Sequence, residues 1–150
     1  MEKALRYRLL NEPLQAESVC RDVLACDPDN QEALITLLLS LSDQFEKQSN
    51  VNLDVVKEIV AQLRGEYLQE YYTGIIDERW GNSQLQKGLP HDISIGWIRS
   101  VMRHYERVVA LAKPDDPDAI LRWNTCARIL ARMGDVGSDS VPLTRDVPPR

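Results

Sequence analysis

The stretch AESVCRDVLACDP, residues 16–28, decides how this chain folds. Ala16, Cys20 and Val23 recur at steps of four and three, the spacing that lines side chains along one helical stripe. Asp27-Pro28 then stops the helix, because the residue before a proline is driven out of the helical region. A second stretch, YERVVALAKPDDP at residues 105–117, repeats these steps with Tyr105, Val109, Ala112 and Pro117. In both places a fresh helix follows the proline. Each stretch packs a stripe, breaks at an acidic-proline turn, and lets the chain fold back to cover that stripe.

Outward from these two stretches the pattern is helical throughout. A short amphipathic helix is expected over Glu2–Leu10, followed by a second over Pro13–Ala25 with proline in its first turn. The third starts at Asp29 or Asn30, with Asp29 and Glu32 at capping-box spacing, and runs to about Glu46. It is apolar on more than one side through Leu34, Leu37, Leu38 and Leu41, as a helix between neighbours should be. A polar loop at 47–52 leads to a fourth helix over Leu53–Arg64, with Gly65 as its cap. The fifth covers Glu66–Trp80. The segment 81–92, with Gly81, Gly88 and Pro90, reads as a long loop. The sixth covers Ile93–Ala112, and the seventh starts at Asp116-Pro117 and ends at Gly134. Residues 1–134 are thus expected to form one all-α domain, and 135–150, with three prolines and no periodicity, a disordered tail.

Composition narrows the function classes. The formal net charge is −5, and the first 90 residues hold 9 basic against 15 acidic groups. Phosphate contacts dominate nucleic-acid affinity, so a nucleic-acid partner is not expected. Three cysteines without a C-x-x-C pair, all within helical patterns, read as small buried hydrophobes rather than a disulfide or zinc framework. The first ten residues carry Glu2, Lys3, Arg6 and Arg8 and lack a signal-like apolar core, and the longest apolar run is Leu37–Leu39. The expected address is the cytoplasm, with no membrane association.

The matched steps resemble the tetratricopeptide repeat family, which alternates two antiparallel helices per repeat. Ala16 and Pro28 fit the second-helix pattern, as do Ala112 and Pro117, while Cys20 and Val23 depart from it. Trp123, Ala127 and Gly134-Asp135 fit the first-helix pattern, and Tyr7 fits its aromatic position in an earlier copy. The likeness covers residues 1–46 and 100–135; the middle is degenerate. It implies an antiparallel helix-pair solenoid, an α-α superhelix of about seven helices, whose first-type helices line a concave surface for a peptide or protein.

Carried onto this chain, that surface takes Asn124, Arg128 and Arg132, together with Leu121 and Ala131, from the last helix. It takes Leu39 and Asp43, with Ile35 and Ser42, from the third, and Tyr71 and Arg79, with Ile75 and Glu78, from the fifth. Asn can hydrogen-bond an extended backbone and Arg can fork onto a carboxylate. The bland alternative is a solvated polar face. Arg99, Arg103 and Arg107 form a second row at steps of four, read as a wet face. His91-Asp92 and His104 lack a second ligand cluster, so no metal is expected. No phosphate-binding loop, G-x-S-x-G or H-E-x-x-H is present, and no catalytic activity or cofactor is expected. A non-catalytic interaction scaffold is the leading reading; a helical accessory or dimerisation domain serving an enzyme complex is the alternative. The last helix has no partner helix after it, which leaves a homo-dimer open. The acidic tail residues Asp135, Asp139 and Asp146 could fold back onto Arg128 and Arg132.

Overall fold

The computed structural model describes residues 1–46, 51–111 and 116–134. Ala112, Lys113–Asp115, most of the 47–52 loop and the expected tail at 135–150 lie outside these. Among the described residues the chain is all-α, with seven helices and no strand: α1 Glu2–Leu9, α2 Pro13–Cys26, α3 Gln31–Ser42, α4 Leu53–Ala61, α5 Glu66–Gln86, α6 His91–Leu111 and α7 Asp118–Arg132. None of them is long and apolar enough to cross a membrane.

Local chemistry explains most of the helix ends. Helix α1 closes in a Schellman turn: Glu12 N–H bonds the Tyr7 carbonyl, Asn11 N–H bonds that of Arg8, and Asn11 takes a φ of 58°. Helix α3 is capped by Asn30, whose Oδ1 accepts from Ala33 N–H at 3.0 Å, rather than by an Asp29–Glu32 box. Its final residues tighten into three-residue turns, so Asp43–Glu46 leave the regular helix. Asn52 caps α4, and that helix ends early in similar tight bonds to Ile59 and Val60. Helix α7 starts one residue beyond Pro117, with Asp116 Oδ1 accepting from Asp118 N–H at 3.1 Å.

The 81–92 loop is corrected. Helix α5 runs on to Gln86, and only residues 87–90 turn. Gly81 is a packing residue, not a breaker: a Cβ on it would lie 2.3 Å from Trp97 Cδ1. The true stop is Gly88, at φ 91°, where Gly88 N–H bonds the Leu85 carbonyl and Leu89 N–H bonds that of Gln84. Cys26 is likewise corrected. It is exposed, whereas Cys20 and Cys126 are buried. Six residues rotate a helix by about 600°, which turns Cys26 away from the face that buries Cys20.

Each helix packs against the next, and α1 also meets α3, as α3 meets α5. Two apolar clusters result. The first joins α1 to α5 through Ala4, Cys20, Leu38, Phe45, Val60 and Ile76. The second joins α6 and α7 through Val101, Met102, Tyr105, Trp123, Cys126 and Leu130, with Tyr67 and Tyr71 of α5 against it. Helix α5 is the wall between them, so it shows no single apolar stripe.

Candidate functional site

The odd-numbered helices carry a row of alternating charge. Arg8 of α1 donates from Nε to Asp43 Oδ2 at 2.8 Å, just beyond α3. Arg79 of α5 donates from Nη1 to Asp43 Oδ1 at 2.6 Å, to Ser42 Oγ at 2.6 Å and to the Leu39 carbonyl at 3.3 Å. Glu78, the residue before Arg79 and about 100° round the helix from it, accepts from Arg122 Nη1 of α7 at 3.2 Å, so two ion-paired groups meet along α5 without a bond between them. The row thus reads Arg8, Asp43, Arg79, Glu78, Arg122 across four helices. Its members are half-buried, with 16–32% of each side chain exposed, where charge-assisted bonds keep strength and still reach solvent. Burial holds the Arg79 guanidinium below its ordinary value despite the Asp43 charge.

At the α1–α3–α5 end of the row lies a polar groove of about 500 Å³. Arg8, Asn11, Ser42, Asp43, Arg79 and Asn82 line it, with Glu46 at its rim. The Schellman turn after α1 is what sets Asn11 there. Asn82 lies three residues after Arg79, on the same side of α5. The groove offers guanidinium, amide and hydroxyl donors beside two carboxylates. It fits a ligand held by hydrogen bonds and ion pairs, and nothing in it forms a nucleophile–base pair.

Among the expected residues, Leu39, Asp43 and Arg79 come together in direct contact. Tyr71 lies next along α5, its hydroxyl 3.4 Å from Arg122 Nε and its ring 6.0 Å from that guanidinium. Asn124 is half-buried on α7; Arg128, Arg132 and Leu121 are exposed there, and none of them lines the groove. Ile75 is 3% exposed and belongs to the core, so it is no surface contact. Arg8, Asn11, Asn82 and Arg122 join the site only in the structure. Arg8 follows the buried Ala4 by four residues and shares its face, but that face shows only in the structure, because Ala4 alone marks it.

Another flank of α5 carries a second cluster. His104 Nδ1 lies 2.8 Å from Glu70 Oε2 and its Nε2 lies 3.6 Å from Asp77 Oδ2. Arg107 Nη2 lies 3.1 Å from Glu70, and Lys57 Nζ 2.9 Å from Asp77 Oδ1, close but off the hydrogen-bond axis. Of the expected arginine row, Arg107 is therefore an ion-pair partner. Among the described residues no group of three acidic, His or Cys side chains is arranged to hold a metal.

This cluster predicts an acid response. Burial alone raises the Glu70 carboxyl, but hydrogen bonds and charge from His104 and Arg107 outweigh it and hold the group below its ordinary 4.5. A carboxylate lowered in the folded state contributes stability above its unfolded value and loses it as pH falls through the folded one. Native protein should therefore melt higher than Glu70→Gln at neutral pH, and the two should converge as pH drops below about 4.5. Parallel melting curves from neutral to acid pH would show that Glu70 contributes nothing through this cluster.

Comparison with family models, with characterised proteins and with solved structures returns no match.

Proposed function

We propose that this chain is a non-catalytic scaffold of tetratricopeptide type, a helix-pair solenoid working in the cytoplasm, whose odd-numbered helices hold a peptide or protein partner. The observation that carries this reading is the charge row: one helix in two contributes to a single line of half-buried polar groups ending in an open groove. Contact of α1 with α3 and of α3 with α5 supports it, because a stack of helix pairs brings alternate helices side by side. In the groove, Arg8 and Arg79 suit a carboxylate, and the Asn11 and Asn82 amides suit an extended backbone.

The test is selection from a displayed library of random peptides with free carboxyl ends, followed by affinity measurement on the winners. Arg79→Ser, checked for a cooperative melt, should weaken their binding by about tenfold to a hundredfold, as loss of a central arginine anchor does. Winners that bind Arg79→Ser as well as native protein would move the site elsewhere. No winners would favour the accessory or dimerisation reading. That second reading has its own observation: Leu5, Leu9, Leu10 and Leu14 are all exposed within ten residues of chain. Sedimentation that detects self-association, abolished by Leu9→Lys, would support it.

A further inference from the structure

We infer that Asp43 is a resident carboxylate in the groove, occupying the seat a partner's acid would prefer and thereby setting the groove's affinity for acidic peptides. The inference rests on the reading of the groove as the partner site. Each oxygen of Asp43 takes one arginine: Oδ2 receives Arg8 Nε and Oδ1 receives Arg79 Nη1. This is the two-armed arrangement that an incoming carboxylate would make. The bonds in place use Arg8 through Nε and Arg79 through Nη1 alone. Each guanidinium carries further donors on its other nitrogens, so both arginines can engage a second acid beside Asp43. The two guanidiniums share the Asp43 carboxylate, while the exposed Glu46 balances the groove's own charge, so selection of an acidic segment rests on the unused guanidinium donors and not on net charge.

Asp43 thus plays two opposed parts. It draws Arg8 of α1 and Arg79 of α5 toward each other across the end of α3, and it repels the acid those arginines attract. The second part is what distinguishes it from an ordinary structural ion pair. Glu46 gives the internal comparison. It is the groove's other acid, yet it is exposed and accepts a 3.2 Å bond from Gln86. Its charge lies in the same field without holding either guanidinium.

The experiment measures fluorescence anisotropy with fluorescein-Gly-Ser-Gly-Glu-Glu-Glu, carboxyl end free. The control is the same peptide with Gln for Glu and an amidated end. Native protein is expected to prefer the acidic probe. Asp43→Asn should tighten the acidic probe about tenfold, the scale of one charge-assisted hydrogen bond, with no gain for the neutral probe. Glu46→Gln should gain about twofold, the scale of a screened exposed charge. If Asp43→Asn melts without cooperativity, Asp43→Ser replaces it. Equal binding of the acidic probe by native protein and Asp43→Asn would overturn the inference while leaving the groove reading intact. So would weaker binding by Asp43→Asn, since Asp43 would then be positioning the arginines. An equal gain from Glu46→Gln would reduce the effect to net charge and overturn it too. No binding by any variant would remove both the inference and the groove reading on which it rests.

Discussion

Gly81→Ala should cost about 3 kcal/mol of stability, the upper end of what overpacking a tight site does, and lower the melting temperature by about 10 °C. The added Cβ would stand 2.3 Å from Trp97 Cδ1 and 2.5 Å from its Nε1. The indole cannot simply retreat, because Nε1 donates to the Asp77 carbonyl at 2.7 Å. Relief therefore requires α5 and α6 to move apart or that bond to break. One turn-pair earlier on α5, Gly74 repeats the device against Tyr105, whose Cε1 lies 2.8 Å from the position a Cβ would take. The two glycines let α6 approach α5 closely along its length. Urea and thermal unfolding of Gly81→Ala, Trp97→Ala and the double variant check this. Trp97→Ala alone should be costly through lost burial, but the double variant should cost little more than that alone. Additive losses, or a Gly81→Ala protein that melts like the native one, would mean the indole does not press on Gly81.

The same glycine shows why the ends of the chain are legible in sequence and the middle is less so. Proline, acidic caps and the steps of four and three mark local events, and they located α1, α2, α3, α6 and α7 to within a few residues. Gly81 looks identical in sequence whether it ends a helix or admits an indole from a residue sixteen positions later. Only Trp97 distinguishes the two, and that contact is tertiary. The groove divides similarly. Asp43 and Arg79 are both legible in sequence as members of one surface under the resemblance, and Arg79 Nη1 does meet Asp43 Oδ1 at 2.6 Å. Arg8 and Asn11 are not legible, since α1 is short and rich in charge, so its inner stripe is faint. Asn11 depends on a left-handed backbone at a turn that looks, in sequence, like any polar break before a proline. Ile75 went the other way. An apolar residue on an expected binding face was absorbed by the core, because α5 buries two sides and leaves little of its circumference to solvent.

Glu78→Leu is the second large effect, expected to cost about 3 kcal/mol because it strands two groups at once. Glu78 Oε2 accepts from Tyr105 Oη at 2.5 Å and from Arg122 Nη1 at 3.2 Å. Tyr105 is wholly buried, and burial together with the Glu78 charge pushes its phenol above the ordinary value, so the hydroxyl remains a donor that needs an acceptor. Burial alone would lower Arg122, but Tyr71, Tyr105 and Glu78 hold it above its ordinary value, so it stays charged. Glu78→Gln keeps an acceptor for Tyr105 and loses only the charge, and should cost about half as much. Adding Arg122→Met to Glu78→Leu removes the stranded cation and should restore part of the loss, since an apolar replacement of a buried pair is cheaper than half a pair. If the double variant is as unstable as the sum of its singles, Arg122 is held by Tyr71 and not by Glu78. Peptide affinity gives an independent readout. Glu78 does not line the groove of Arg8, Asp43 and Arg79, so the folded fraction of Glu78→Leu should bind the acidic probe within about twofold of native protein, the scale of a nearby screened charge. Loss of binding along with stability would instead make the charge row one cooperative unit, in which α7 fixes the geometry of a site built on α1, α3 and α5.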